Sequence, residues 1–228
     1  MKDNITLNII ARIKTDFPTK FGIPRQSGLI PELKGKIIFE PEYRNNTALR
    51  GLEGFTHLWL IWKFSEAVTD EWSPTVRPPR LGGNKRVGVF ATRSPFRPNP
   101  IGLSSVKLER IIENTPDGTV LEVSGADLLD GTPIYDIKPY IPYTDSHPEA
   151  TGGFSEDVFH KKLDVVFEKG LLELPKGVYE PIFKILESDP RPAYQDNGDR
   201  IYSFEYANFN IKFKVSDNIL TVTDIKYV

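Results

Sequence analysis

Short apolar and aromatic runs, separated by glycine- and proline-rich turns, dominate the first 145 residues of the chain. Runs of β-branched and aromatic residues bounded by turn residues are typical of strands. The pattern predicts strands near residues 5–13, 36–40, 55–64, 87–92, 101–112 and 119–126. The turn Asn114–Gly118 joins the last two strands as a hairpin. Many short strands favour a mainly β protein, a compact and largely antiparallel barrel or sandwich, over repeated βαβ units.

The pattern changes after Pro148. Val178, Ile182, Ile185 and Leu186 recur at helical spacing, so we expect an amphipathic helix with Pro181 in its first turn. Asp189-Pro190 ends this helix, and alternating strands at 202–206, 211–215 and 220–225 follow. We therefore predict two domains, a β-barrel-like domain over residues 1–148 and a small α+β domain over residues 149–228.

Composition excludes several classes of site. The 228 residues contain no cysteine, so disulfides, thiolate-bound zinc and a cysteine nucleophile are excluded. The three histidines are far apart in sequence and lack metal-ligand spacing, so no metal is expected, and P-loop, G-x-S-x-G and G-x-G-x-x-G motifs are absent. No apolar run approaches the roughly 18 residues of a membrane span. The N-terminal residues lack the layout of a signal peptide, which predicts a cytoplasmic protein with no membrane partner.

Positive charge is concentrated in one segment of a nearly neutral chain. The whole sequence has 29 basic and 31 acidic residues, yet residues 77–107 contain no Asp or Glu. The segment contains seven basic residues, Arg77, Arg80, Lys85, Arg86, Arg93, Arg97 and Lys107. A local basic field suits phosphates, carboxylates or an RNA backbone, and the arginine fork favours bidentate recognition. A solvated basic face is the alternative.

Three polar loops carry the candidate chemistry. They cover residues 24–28, 93–103 and 127–140, and each combines Gly or Pro with hydrogen-bonding side chains. The prolines at positions 95, 98 and 100 remove amide donors and fix backbone angles, so this stretch predicts a stiff loop that holds Arg93 and Arg97 in place. Each loop alone could be a simple turn, but three such loops in one small β domain favour a shared pocket.

Several motifs, in the same order along the chain, resemble those of the TrmO (YaeB-type) tRNA methyltransferases. The resemblance is strong over residues 5–145 and weaker over Asp189–Tyr194 and the last strands. The motifs are Pro24–Gln26, Arg77–Gly83, Gly88–Ser94, Arg97–Gly102 and Asp130–Tyr140.

The resemblance implies a single antiparallel β-barrel that binds S-adenosylmethionine, rather than a Rossmann domain. It implies a homodimer with cofactor pockets near the subunit interface. Its substrate would be tRNA with N(6)-threonylcarbamoyladenosine next to the anticodon, methylated on that exocyclic nitrogen. The implied cofactor contacts are Pro24, Arg25, Gln26, Ser65, Glu66, Arg93, Leu103, Leu129, Asp130, Gly131 and Thr132. Many relatives have His-Gln where Ser65 and Glu66 align, so these two positions depart from the family pattern.

Candidate roles follow from the chemistry of methyl transfer to nitrogen, in which a proton must leave. Asp130, Asp136 and Tyr140 are candidate catalytic residues, as proton acceptors or orienting groups, and Asp130 could instead hold the amino group or ribose of the cofactor. Arg25 and Arg93 suit the methionyl carboxylate. The residues expected to meet RNA phosphates or the threonyl carboxylate are Arg77, Arg80, Lys85, Arg86 and Arg97.

Two alternatives to a tRNA methyltransferase stay open at this point. One is a non-catalytic RNA-binding or regulatory β-barrel that kept the scaffold. The other is an enzyme with the same cofactor and a small-molecule acceptor. Trp59 and Trp62 are expected to pack in the core in every case.

Overall fold

A closed barrel and a separate open sheet make up the fold in the computed structural model, which describes residues 5–66, 72–78, 81, 85–158, 162–191 and 200–228. The barrel contains six antiparallel strands in the order β1-β2-β7-β6-β3-β8, and β8 closes it by pairing with β1. These strands are β1 Ala11–Thr15, β2 Lys34–Phe39, β3 His57–Lys63, β6 Ile101–Thr115, β7 Gly118–Ser124 and β8 Pro133–Pro139. The predicted mainly β, barrel-like fold is confirmed.

Side-chain alternation along the strands fills the barrel interior. In β3, Leu58, Leu60 and Trp62 are buried, whereas the intervening Trp59 and Ile61 are half-buried on the other face. Period-two alternation is the expected pattern for a sheet with one face on the core. The same alternation in the other strands adds Ile13, Ile37, Val106, Leu121, Val123 and Ile134 to the core.

Strand direction places the functional loops at one end of the barrel. Strands β1, β3 and β7 finish at this end and β2, β6 and β8 begin there, as the pairing of Lys63 with Ile101 and of Thr15 with Gly35 shows. We call it the upper end. The opposite, lower end carries short 3-10 turns over Pro41–Tyr43, Asn46–Leu49 and Leu52–Gly54, and the short helix α1, Pro142–Asp145.

The C-terminal part is a four-stranded sheet with one helix. Its strand order is β10-β11-β12-β9, in which only the β12–β9 pair is parallel. Helix α2 buries Ile182, Ile185 and Leu186 in a core that the long loop between β1 and β2 shares through Phe17, Ile30 and Leu33. The elements are β9 Asp164–Phe167, α2 Lys176–Glu187, β10 Tyr202–Tyr206, β11 Phe209–Ser216 and β12 Ile219–Tyr227.

Four local predictions were wrong. The first strand was predicted over residues 5–13, but β1 covers Ala11–Thr15, because its pairing with β2 begins at Ala11. Strand β5 covers only Val87–Gly88, paired with β4 Thr75–Val76, because the chain then turns into a 3-10 helix, Val89–Ala91. Pro181 lies inside α2 rather than in its first turn, because the helix already begins at Lys176. The sequence pattern gave residues 127–140 as a polar loop, but 133–139 form β8, which pairs with strands on both sides.

Candidate functional site

The three polar loops leave the same upper end of the barrel and contact one another. The Arg93 guanidinium donates a hydrogen bond to the Gln26 side-chain oxygen, which joins the proline-rich loop to the loop between β1 and β2. The backbone amide of Gly28 donates to the carbonyl of Gly125 at 2.9 Å, just before the third loop. Residues more than 60 positions apart in sequence therefore form one surface.

A cavity of about 1290 Å³ opens at this surface. Four arginines line it, Arg25, Arg77, Arg86 and Arg93, and Glu156 is the one acidic side chain among the lining residues that the structure describes. Three phenylalanines also border the cavity, and two of them are exposed, Phe90 at 73% and Phe96 at 46%. The cavity therefore combines positive charge with flat apolar surfaces, which suits an anionic ligand with an aromatic ring.

Besides Arg93, two more of the cavity arginines are held by the surrounding chain. Arg86 donates from Nε to the Thr75 hydroxyl at 2.7 Å and from a terminal nitrogen to the Thr75 carbonyl at 3.3 Å. Arg25 donates to the carbonyl of Arg191 at 2.7 Å, so the C-terminal part of the chain helps to fix a cavity residue. Arginines fixed in this way lose less conformational entropy when an anion binds.

A buried polar chain lies beneath the three loops and ends at Asp127. The Trp62 indole N–H donates to the Ser104 hydroxyl at 2.9 Å, and that hydroxyl donates to the Asp127 carboxylate at 2.6 Å. Burial raises the pKa of Asp127 to about 6, opposed by the hydrogen bond from Ser104 and the charge of Arg93. Sequence reasoning missed Asp127 as a site residue, and its signal is an acidic residue between the apolar positions 126 and 128 directly after a buried strand.

The Asp130 turn closes the upper end against β1. The Asp130 carboxylate accepts the amide of Thr15 at 2.9 Å, and the amide of Gly131 donates to the Ile13 carbonyl at 2.9 Å. Gly131 has a φ of 74°, a conformation that favours glycine. The Thr132 hydroxyl donates to the Leu129 carbonyl at 2.7 Å, so the whole predicted turn is ordered by its own hydrogen bonds.

The other predicted cofactor contacts are not among the residues that line the cavity. Pro24 immediately precedes Arg25, and Leu103 is 53% exposed on the outer face of β6. Ser65 and Glu66 follow β3 at the upper end, and the Glu66 carboxylate lies 3.3 Å from the Lys20 ammonium group. Glu66 is thus already paired within the chain.

Two of the three predicted catalytic residues lie away from this cavity within one chain. Asp136 is in the middle of β8, opposite Ile61, and forms an ion pair with Lys138 at 2.9 Å. Tyr140 lies at the lower end, where its ring centroid is 5.5 Å from that of Trp59. Asp130 is the predicted catalytic residue on a loop that leaves the upper end.

The predicted RNA-contacting residues divide into two groups. Arg77 and Arg86 line the cavity. Arg97 is half-buried and donates to the Thr92 carbonyl at 3.2 Å, and Lys85 is exposed outside the lining. Arg80 lies outside the described residues.

The fold and the cavity together define a class of protein, a closed antiparallel β-barrel with a cationic, aromatic-bordered ligand site at one end. The model of the tRNA-methyltransferase O N-terminal domain matches residues 12–146, and that of the TrmO C-terminal domain matches residues 161–228. The chain belongs to the TrmO family.

Individual relatives are similar to this chain over most of its length. The tRNA (adenine(37)-N6)-methyltransferase of Escherichia coli is 41% identical over 217 residues, which are 91% of this chain and 92% of that protein. A Pseudomonas aeruginosa protein, named as a candidate S-adenosylmethionine-dependent methyltransferase, is 42% identical over 194 residues, with 82% and 81% of the two chains covered. The crystal structure of TrmO from P. aeruginosa matches with a TM-score of 0.78 and 30% identity, covering 100% of this chain and 99% of that one.

No helix in the described part of the chain is both long and apolar enough to cross a membrane.

Proposed function

We propose that this chain transfers a methyl group from S-adenosylmethionine to the exocyclic N(6) of threonylcarbamoyladenosine, next to the anticodon of tRNA. The observation that carries the proposal is the cavity at the upper end of the barrel, where arginines and exposed rings line a space bordered by the first two polar loops. The name of the E. coli relative, which specifies methylation of adenine 37 in tRNA, supports the same reaction.

The residues at the cavity fit the proposed cofactor. Arg25 and Arg93 present guanidinium groups that suit the methionyl carboxylate. Gln26, which follows Arg25 in the chain, accepts a hydrogen bond from Arg93 and so connects the two loops. An exposed ring such as Phe90 suits an adenine face. The volume of about 1290 Å³ is larger than the roughly 300–1000 Å³ of typical small-molecule pockets, so it has room for an acceptor nucleotide as well.

The proposed assignment of cofactor contacts keeps the three loops together. Pro24, Arg25 and Gln26 come from the first loop, Arg93 from the second, and Leu129–Thr132 from the third. Leu103, Ser65 and Glu66 complete the set at the start of β6 and after β3. S-adenosylmethionine supplies an electrophilic methyl group on a sulfonium.

The protein's own contribution is alignment and proton removal. Fixed arginines and ordered loops reduce the entropy lost in bringing the two reactants into line. As the new N–C bond forms, the N(6) proton must pass to an acceptor, and the candidates are Asp130, Asp136 and Tyr140. The position of Asp130 at the upper end favours it among the three within one chain.

RNA would approach over the basic rim of the cavity. We assign Arg77, Arg80, Lys85, Arg86 and Arg97 to phosphates or to the threonyl carboxylate. Trp72 and Phe90, with ring centroids 6.3 Å apart, are 49% and 73% exposed and offer surfaces on which bases could stack. Exposed rings among arginines are typical of single-stranded RNA contacts.

We further propose a cytoplasmic homodimer. Ile101 and Leu103, 39% and 53% exposed, form an apolar surface at the start of β6. A second copy covering this surface would bury it, and could bring Asp136 or Tyr140 of one subunit nearer to the site of the other.

The central test is methyl transfer by purified protein. Labelled S-adenosylmethionine and tRNA from cells lacking this methylation should yield a methylated threonylcarbamoyladenosine, identified by mass spectrometry of the nucleosides. Arg97→Ala should weaken tRNA binding about tenfold and leave cofactor affinity unchanged, because Arg97 lies outside the cavity lining. The matched control is Lys36→Ala, which removes an exposed cation on β2.

Other outcomes would favour the alternatives. Saturable tRNA binding without cofactor binding in calorimetry would indicate a non-catalytic RNA-binding barrel. Cofactor binding with methyl transfer to a small molecule but not to tRNA would indicate a different acceptor. Retention of full tRNA affinity in Arg97→Ala would also speak against RNA contacts at this loop.

A further inference from the structure

The carboxylate of Asp127 lies where the three polar loops meet. It lies on the loop between β7 and β8, three residues before Asp130. It accepts hydrogen bonds from the Ser104 hydroxyl and from the backbone amide of Ser27, and it attracts the charge of Arg93. One buried carboxylate thus interacts with Ser27 of the first loop, Arg93 of the proline-rich loop and Ser104 of β6.

The hydrogen-bond chain below Asp127 has a fixed direction. An indole N–H can only donate, so the Ser104 hydroxyl must accept from Trp62 and use its own proton toward Asp127. Ser104 and Trp62 are only 1% and 7% exposed, so neither group can be satisfied by bulk water. The chain therefore points a buried donor at the carboxylate from the barrel core.

Burying this carboxylate is unfavourable for the fold. Burial is the largest influence on Asp127 and raises its pKa to about 6, which means that the charged form is destabilised in the folded protein. A neutral residue of the same size would fill this position without the cost of burying a charge, and the fold would be more stable. A destabilising charge among residues assigned to a ligand is typical of a functional role.

We propose that Asp127 is a positioning residue for the cofactor site, holding Arg93 and the turn through Arg25, Gln26 and Ser27 in the geometry that receives the methionyl carboxylate. This inference rests on the proposed function for the identity of the ligand. It needs no contact between Asp127 and the ligand. The anionic form attracts Arg93 from below while Gln26 accepts a hydrogen bond from the same guanidinium.

The test compares Asp127→Asn with the wild-type chain at pH 8. Asparagine keeps an acceptor for Ser104 and Ser27 but loses the attraction for Arg93. Titration calorimetry with S-adenosylmethionine should show an affinity at least about tenfold weaker in the variant, the usual scale for a charge-assisted contact. The melting temperature at pH 8 should stay equal or rise by a few degrees, because a buried charge is removed.

The pH dependence provides a second readout. The wild-type affinity should fall as pH decreases through about 6, where Asp127 takes up a proton, and the variant should show no such step. Among the described residues, Arg93 is the charged group that acts on Asp127, while the other neighbours Ser27, Ser104 and Trp62 are neutral. The matched control, Asp145→Asn, changes a carboxylate at the lower end of the barrel and should leave cofactor affinity unchanged.

A third readout does not need the cofactor. Hydrogen exchange should speed up at the amides of residues 25–28 and of Arg93, Ser94, Phe96 and Arg97 in Asp127→Asn, because the carboxylate no longer orders both loops. Unchanged affinity and unchanged exchange in this variant would overturn the proposal, and so would a weaker affinity accompanied by a lower melting temperature, which would indicate a merely structural role. If Asp127→Asn does not fold, Ser104→Ala replaces it, with an expected affinity loss of about threefold.

Failure of the proposed function would look different. A wild-type chain that binds no S-adenosylmethionine would refute the cofactor assignment. The exchange experiment would then still decide whether Asp127 orders the two loops.

Discussion

The two ends of the barrel each contain a tryptophan and an aspartate, used in opposite ways. At the upper end, Trp62 reaches Asp127 through Ser104, and burial raises the pKa of that carboxyl to about 6. At the lower end, Trp59 donates directly to Asp145 at 3.0 Å. The pKa of Asp145 is lowered, first by the hydrogen bond from the amide of Ile141 and then by that from Trp59.

Solvent access explains the difference. Asp145 is in the last position of the short helix α1 and only partly covered, so its two hydrogen bonds dominate and favour the charged form. Asp127 also accepts hydrogen bonds, but desolvation outweighs them. The lower carboxylate therefore stabilises the connection after β8, whereas the upper one costs stability beside a cavity rich in arginine.

The largest effect is expected from a methyl group at Gly102. A Cβ there would lie 2.3 Å from Cε2 of Trp62, so Gly102→Ala must displace the indole and with it the hydrogen bond to Ser104. We expect a loss of about 3 kcal/mol in the free energy of unfolding, measured by urea denaturation. The matched lower-end change is Gly54→Ala, where a Cβ meets nothing within 4 Å and the effect should stay within about 0.5 kcal/mol.

If the two glycine variants were equally stable, the close packing of Trp62 on β6 would be wrong. Ser104 would then have no fixed donor, and the hydrogen-bond chain from Trp62 to Asp127 at the upper end would be absent.

The next effect concerns how stability depends on pH. Protonation of Asp127 favours the folded state, so its contribution is fully present below the ordinary pKa of 3.8 and is lost as pH rises through about 6. Asp127→Asn should therefore gain stability relative to the wild type between pH 4.5 and pH 8, by about 2 kcal/mol. Urea unfolding at both pH values measures this gain.

Asp145→Asn should behave in the opposite way. A lowered pKa stabilises the fold above 3.8, and this stabilisation is lost as pH falls through the folded value. The variant should be less stable than the wild type at every pH from 4.5 to 8, by a nearly constant amount. If Asp127→Asn were also less stable than the wild type across this pH range, the two carboxylates would not differ in their effect on stability.

The smallest effect is expected at two exposed ion pairs. Glu66 pairs with Lys20 at the upper end and Glu40 with Arg12 near the lower end, with contacts of 3.3 and 3.0 Å. Glu66→Gln and Glu40→Gln should each cost no more than about 0.5 kcal/mol, because exposed pairs contribute little. Calorimetry with S-adenosylmethionine should show a weaker affinity in Glu66→Gln, which changes a proposed cofactor contact, and a change of less than about twofold in Glu40→Gln. Equal affinities in the two variants would remove Glu66 from the proposed contacts.

Much of the barrel could be predicted because its signals are local. Runs of apolar, aromatic and β-branched residues predicted β3, β6 and β7, and the turn at Asn114–Gly118 predicted the hairpin of β6 and β7. Strand β8 could not be predicted, since it begins and ends with proline and contains Asp136 and Lys138. It becomes a strand because β1 and β3 supply backbone partners on its two sides.

The candidate site was predictable as three loops but not as a set of contacts. Gly and Pro marked the loops, and the charge pattern marked Arg93. The role of Asp127 depends on Ser104, Ser27 and Arg93, which lie 23 or more positions away in sequence. A raised pKa is set by distance and burial in space, and no local pattern reports either quantity.

The sequence by itself determined the alternation that builds the barrel walls, the positions of the turns and the basic segment between Arg77 and Lys107. Tertiary structure alone decided that the three loops share the upper end, that Phe17 and Leu33 join the C-terminal core, and that Asp127 is buried while Asp145 is not. The reason is physical: hydrophobic periodicity acts between neighbours along the chain, whereas pockets and ionisation depend on groups brought together only when the barrel closes.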